Sequence, residues 1–235
     1  MESDMNVIKK VLLTIPFFRS LSNFRKRYNE PNAVSLIKYI AFNTIPISVV
    51  KLFCVNTSYL PKDKYSTIIR GNVYVGKCSR IQRSGCYIQG RGKVYIGNYV
   101  GFASNVSVIS GNHDLYNQDV SVKKETIIGD YCWIATNACI LAGVVLGPRT
   151  IVGAGSVVTK SFPDGNCVIA GNPAKIIKYL EPDKVVKTKD KEEFYGYLPE
   201  KKFRKYFKYF YSKLSFDYDI SKVSDTEFFK RNNNE

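Results

Sequence analysis

Histidine is almost absent from this chain: His113 is the one such residue in 235. A single imidazole excludes any centre that needs two or three histidine ligands. The six cysteines, Cys54, Cys78, Cys86, Cys132, Cys139 and Cys167, include no Cys-x-x-Cys pair, so the common zinc patterns are absent too and no metal is expected. Long apolar runs are also missing. The most apolar stretch, Ala33 to Val55, is interrupted by Lys38, Asn43, Pro46 and Lys51, which argues against a membrane span. The N-terminus has no extended apolar segment followed by a small-residue cleavage site. The expectation is a cytoplasmic protein with free thiols.

Acidic residues are scarce relative to basic ones: 20 Asp and Glu stand against 35 Lys and Arg, a formal charge of +15. Such an excess attracts anions: nucleic acid, an anionic membrane face, an acidic glycan or a phosphate-bearing cofactor. The excess is uneven. Residues 1–65 carry ten basic and four acidic residues, 66–180 twelve and five, and 181–235 thirteen and eleven. The run Lys201, Lys202, Arg204, Lys205, Lys208, Lys213 contains no acid. A solvated helix face is the plain reading of that run. Contact with an acidic glycan or peripheral association with a membrane is the functional one. No nucleic-acid-binding motif accompanies the charge, so no nucleic-acid partner is expected.

What the chain has in abundance is a period of six. Ile128, Ile134, Ile140, Leu146, Val152 and Val158 follow one another at that spacing, as do Ile96, Phe102 and Val108, and further upstream Ile69, Val75 and Ile81. Four places after an anchor stands a small or β-branched residue: Cys132, Ala138, Val144, Thr150, Ser156. Glycine often follows the anchor, as at Gly97, Gly129, Gly147 and Gly153. A helix would space its apolar positions by 3.6 and a strand by 2. Period six fits a three-sided solenoid with one short strand per face and about 18 residues per coil, a parallel β-helix. Handedness does not follow from spacing.

The repeat spans about residues 66–170 and is broken twice, by slipped spacing near Ser84–Gly92 and by an insertion between Val108 and Ile128. The flanks read differently. Residues 1–65 are expected to be a helical N-terminal segment broken by prolines. Residues 179–235 are expected to be a basic extension, helical around 199–214, and the two to cap the open ends of the coil. The insertion contains SGNHDLYNQ. A lone histidine on the one polar excursion from a monotonous repeat is suited to take a proton from a hydroxyl, so His113 is the candidate general base.

The run IIGDYCWIATNACILAGVVLGPRTIVGAGSVVTKSFPDGNCVIAGNPAKII, with NHDLYN before it, resembles the hexapeptide-repeat O-acetyltransferases of galactosides, maltose, capsules and exopolysaccharides. The resemblance covers roughly residues 68–178. It implies a mainly β fold, a left-handed parallel β-helix, and a homotrimer with the active site between subunits. It also implies acetyl-CoA as co-substrate and a carbohydrate acceptor. Residue by residue, it makes His113 catalytic and puts Trp133, Ala135, Ala154, Thr159, Lys160, Lys175 and Lys178 along coenzyme A. Lysines stand at 175 and 178 where some relatives have arginine, which keeps a point charge and loses bidentate geometry. Asn112, Asp114 and Tyr116 are candidates for the acceptor side, although Asn112 and Asp114 could equally hold the loop's own backbone.

These readings converge on acetyl transfer to a hydroxyl of a sugar or polysaccharide by a ternary-complex mechanism. Two alternatives stay open: N-acetylation of an amino-sugar nucleotide on the same coil, and a non-enzymatic basic binding module. A γ-class carbonic anhydrase is excluded, because its zinc needs three histidines. Cys132 and Cys139 fall on the repeat and are read as filling rather than as nucleophiles.

Overall fold

The computed structural model describes residues 14–15, 18, 20–22, 24, 33–44, 68–186, 189–190, 192–196, 198–200 and 203. Within these, helix α1 (Ala33–Thr44) precedes a succession of short strands. They are β1 (Ile68–Val75), β2 (Tyr87–Ile96), β3 (Gly101–Phe102), β4 (Ser107–Ile109), β5 (Gly111–His113), β6 (Ser121–Lys123), β7 (Glu125–Ile128), β8 (Trp133–Ile134), β9 (Cys139–Ile140), β10 (Val145–Leu146), β11 (Ile151–Val152) and β12 (Val157–Val158). They continue with β13 (Cys167–Gly171), β14 (Ala174–Tyr179), β15 (Phe194–Tyr195) and β16 (Leu198–Pro199).

The pairing is parallel and regular. Val145 pairs with Ile127, Ile151 with Trp133 and Val157 with Cys139, each offset by 18 residues. That is three hexads per coil. Three faces result. The first holds the N-terminal part of β2, then β4, β9 and β12; the second holds the C-terminal part of β2, then β7 and β10. The third holds β3, β8, β11 and β13, with β14 added antiparallel at its end. Strands β1 and β2 run round the corner between the first two faces, and the register slips at Gly71/Asn72. The slipped spacing near Ser84–Gly92 is this corner: β2 bends at Gly90–Arg91–Gly92 instead of breaking.

The anchors do what their spacing demands. Val75, Ile81, Ile96, Phe102, Val108, Ile128, Ile134, Ile140, Leu146, Val152 and Val158 are all buried, and so are Cys132, Ala138, Val144, Thr150 and Ser156. Each large anchor removed from water contributes about 1.5–3 kcal/mol. The glycines after the anchors have one cause. A Cβ on Gly97 would sit 2.8 Å from the Gly129 carbonyl carbon, and one on Gly129 2.7 Å from that of Gly147. These positions form a column in which one coil's backbone rests on the next.

The flanks differ from expectation. Among the described residues the helical part is α1, a single turn of 3-10 helix at Pro182–Lys184, and the helical positions 18, 20–22, 24, 200 and 203. The helix expected around 199–214 lies mostly outside the described residues. The open end of the coil is covered by the β15–β16 hairpin rather than by helices alone: the Cys78 N–H donates to the Phe194 carbonyl at 2.9 Å. A strand edge offers free carbonyls to the coil's unpaired N–H groups, which a helix interior cannot. Tyr39 of α1 then packs on Phe194, ring centroids 5.9 Å apart, and stacks on Phe24 at 4.1 Å. Lys77 reaches Glu193 and Glu200, each at 3.0 Å. Burial alone would lower the Lys77 pKa, but these carboxylates raise it, and Glu193 is held below its ordinary value by Tyr99 and Lys77.

Candidate active site

The insertion leaves the coil at the corner between the first and second faces. Cys139 pairs with Ser107, 32 residues back, whereas Val157 pairs with Cys139 at the regular offset of 18, so 14 residues are ejected without disturbing the stacking. The ejected chain folds on itself as the antiparallel hairpin β5–β6, with Asn112 opposite Val122 and His113 opposite Ser121. Its stem is tied to the coil by Gln89, whose Oε1 accepts from the Gly111 N–H at 3.0 Å. Its tip is held by side chains. Asp114 Oδ1 accepts from the N–H groups of Tyr116 and Asn117 at 2.9 and 3.0 Å, which also lowers the Asp114 pKa. Asn112 Oδ1 accepts from the His113 N–H at 3.0 Å. Both side chains thus serve the loop's backbone.

The imidazole is held at both nitrogens. Nδ1 donates to the Gln118 carbonyl. Nε2 therefore carries the lone pair, and it accepts from Arg91 Nη1 at 3.0 Å. A guanidinium has only donors, so both contacts agree on the same tautomer, the one in which Nε2 can take a proton. Neither partner was among the candidates read from sequence. Gln118 contributes a backbone oxygen, which no residue pattern reports. Arg91 sits at the slipped corner between two glycines, and that irregularity in the repeat is the signal that marks it. Gly111 makes room for it: a Cβ there would lie 2.6 Å from Arg91 Cβ.

The remaining candidates fall into two groups. Trp133 projects from the third face, 47% exposed. Its ring lies over Gly101 of the preceding coil, where a Cβ would come within 2.5 Å. Ala135 follows Trp133, Ala154 follows β11, and Lys175 and Lys178 are exposed on β14, so these five belong to the third face and its rim. Trp133 and Lys178 also line a cleft of about 690 Å³, together with Arg80, Tyr131, Arg149 and Lys184. Tyr131 stacks on Tyr99 at 5.1 Å, with Arg149 5.9 Å from its ring centre. Thr159 and Lys160 lie elsewhere, after β12 and before the Phe162 bridge to Leu146, at the corner that also bears the His113 loop. In a three-sided prism that corner points away from the third face. One chain therefore does not bring His113 and Trp133 together.

The thiols are poor nucleophiles. Cys132 is fully buried, donates to the Gly147 carbonyl at 3.2 Å, and burial pushes its pKa to about 12. Burial also raises Cys139 and Cys167. Among the described residues no group of three His, Cys, Asp or Glu side chains is placed to hold a metal ion, and no helix is long and apolar enough to cross a membrane.

Residues 125–160 match the family model described as bacterial transferase hexapeptide (six repeats). The chain is 33% identical over 101 residues to the galactoside O-acetyltransferase of Lactococcus lactis subsp. lactis, covering 41% of this chain and 48% of that protein. It is 49% identical over 71 residues to a 2,3,4,5-tetrahydropyridine-2,6-dicarboxylate N-acetyltransferase of Clostridium perfringens, covering 30% of this chain and 28% of that one. A solved maltose O-acetyltransferase from Clostridium difficile 630 is similar at 24% identity, over 68% of this chain and 88% of that chain, with a TM-score of 0.45. The chain spans about half the length or less of the curated relatives it matches. The stretch 125–160 of the coil, with its buried anchors at every sixth residue, is thus the part of the chain that matches the hexapeptide-repeat model.

Proposed function

We propose that this protein is an acetyltransferase that moves the acetyl group of acetyl-CoA onto a hydroxyl of a carbohydrate, with His113 as the general base. The observation that carries the reading is the state of the imidazole. The chain's sole histidine stands on the loop ejected from the coil, with Nδ1 committed to a carbonyl, which leaves the lone pair on Nε2, the atom that meets Arg91. In the reaction Nε2 takes the proton of the acceptor hydroxyl as its oxygen bonds to the thioester carbonyl carbon. The C–S bond then breaks, and the imidazolium returns the proton to the thiolate. A thioester is already activated, so positioned proton transfer and the joint holding of two substrates are the enzyme's main tasks.

The placement of the two groups supports a homotrimer. The loop tip carries Leu115, 87% exposed, and Tyr116, 97% exposed, at one corner. Trp133, Ile176, Ile177 and Tyr179 are exposed on the opposite face. Two unlike apolar surfaces on opposite sides of one chain suit a head-to-tail contact, which a three-fold ring closes. The His113 loop of one subunit then meets the Trp133 face of its neighbour. In that arrangement Trp133, Ala135, Ala154, Lys175 and Lys178 come from one subunit, and His113, Thr159 and Lys160 from the next. The aromatic wall and basic side chains of the 690 Å³ cleft fit the apolar arm and phosphates of coenzyme A. Asn112, Asp114 and Tyr116 set the shape of the acceptor side. We take residues 66–178 as the catalytic unit, its coil left-handed as in the family it resembles, with 1–65 and 179–235 as flanks that close its ends.

The similarity to an N-acetyltransferase keeps a nitrogen acceptor as the second reading. Labelled acetyl-CoA supplied with paired sugars and amino sugars separates the two by product: an ester is cleaved by mild base and an amide is not. His113→Ala is expected to lower turnover by about 10²–10⁴-fold, the range of a positioned base, with the oligomer intact by light scattering. Near-normal turnover in that variant refutes the assignment.

A further inference from the structure

The guanidinium on the base is the feature that acyl transfer leaves unexplained. Arg91 Nη1 occupies the lone pair that must accept the acceptor's proton. With Arg91 in place the base is capped. Once Nε2 is protonated, two cations would face each other N–H to N–H. Arg91 must therefore leave Nε2 as the reaction proceeds, and it needs somewhere to go. Its other polar contact is weak, to Ser121 Oγ at 3.4 Å. Of the carboxylates on and beside the hairpin, Asp114 caps the loop tip, Glu125 pairs with Lys93 at 3.2 Å, and Asp119 is exposed and not within ion-pair distance of Arg91. Among the described residues no carboxylate lies within ion-pair distance of Arg91. Lys123 and Lys124, at the end of the hairpin, are also exposed. The base thus has a guanidinium resting on it that no carboxylate of the described residues pairs.

We infer that the acceptor carries an anionic group, a carboxylate or a phosphate, close to the hydroxyl that is acetylated, and that Arg91 swings from His113 Nε2 onto that group. This rests on the acyl-transfer reading and narrows its substrate class. The anion does two things at once. It gives the planar fork of Arg91 a bidentate partner, and it uncaps the lone pair just as the acceptor hydroxyl arrives. A neutral sugar offers no such partner, and the base stays capped. Arg91 is in this sense a positioning and specificity residue.

The single histidine makes the test direct. With histidine labelled by carbon-13, the full chain gives one imidazole signal, which reports both the cap and the protonation of Nε2. The probes are D-glucuronate, D-glucose 6-phosphate and D-glucose, which share a ring and differ at carbon 6. Glucuronate or the phosphate is expected to move the His113 signal, because a cation leaves the ring and an anion arrives. Glucose is expected to leave the signal unchanged. A response to glucuronate alone assigns a carboxylate acceptor, and one to the phosphate alone a phosphorylated acceptor. Arg91→Gln is expected to abolish the response, and Arg91→Lys to restore part of it. A response of equal size to glucose, one that survives in Arg91→Gln, or none to either anion, overturns the inference. Transfer of labelled acetyl from acetyl-CoA is scored separately. An Arg91-dependent response without any transfer leaves the anion subsite standing and removes the enzymatic reading. Transfer that ignores Arg91 does the reverse.

Discussion

The wall of the coil and the loop it ejects are built on opposite choices. In the wall, every sixth residue is an apolar anchor and the anchors from Val75 to Val158 are buried. Its strands from β3 to β12 are two to four residues long, yet they are held because each pairs with its counterpart one coil away. In the loop, Asn112 and Asp114 spend their side chains on their own backbone, and Leu115 and Tyr116 meet solvent. The wall repeats one solution and is stable through stacking. The loop is unique, held locally, and bears the only imidazole. Stability and chemistry are thus assigned to different parts of the chain, and substitutions are expected to separate them.

The sharpest way to break that division is through the wall. Ile140→Ala removes a fully buried anchor between two coils and is expected to cost about 2–5 kcal/mol, read by denaturant unfolding. The activity of the molecules that remain folded is expected to be normal. A loss of activity without loss of stability would mean that the wall shapes the chemistry. Gly129→Ala comes next. Its methyl group would meet the backbone of the following coil at 2.7 Å, and because backbone cannot rotate away, about 1–3 kcal/mol of stability is expected to go. An unchanged melting temperature would show that the coils can part freely.

The end cap is a third test. Glu193→Gln removes a carboxylate that holds both Lys77 and Tyr99, and about 1–3 kcal/mol is expected to be lost, seen as faster hydrogen exchange at the Cys78 amide. The sign with pH follows from the shifts. Glu193 titrates below its ordinary 4.5, so its contribution is whole above that value and disappears as pH falls through the folded one. Lys77 titrates above its ordinary 10.5, so its contribution is whole below that and disappears only as pH rises past the folded value. Between about pH 5 and 10 the cap is expected to be insensitive to pH. The smallest effect is expected at the exposed rim: Lys175→Ala should weaken coenzyme A by about 5-fold or less, the size of one exposed charge contact. Equal loss for dephospho-coenzyme A would count against a phosphate contact there.

Much of the wall was legible in the order of residues. Ile128 to Val158 at spacing six, the small residue four places on and the glycine after the anchor each had one structural solution, and all three are found inside the coil. The candidate site was legible only in part. His113 stood out because it is alone and because the repeat opens around it. Gln118 did not, since its contribution is a carbonyl that any residue carries. Arg91 did not either: it lies 22 residues from His113 and meets it only because one coil's corner lies beside the next coil's loop. The helical caps were read from composition, whereas the coil end required strand edges to satisfy N–H groups such as that of Cys78.

Local order along the chain therefore determined the period, the inward and outward sides of each strand, and the existence of a loop with a histidine in it. Each of these depends on near neighbours and on whether a side chain is apolar. Tertiary structure alone decided which corner ejects that loop, that Trp133 lies on the face turned away from it, and that a guanidinium comes to rest on Nε2. Those are relations between residues in different coils, and they exist only once the chain has wound around three corners.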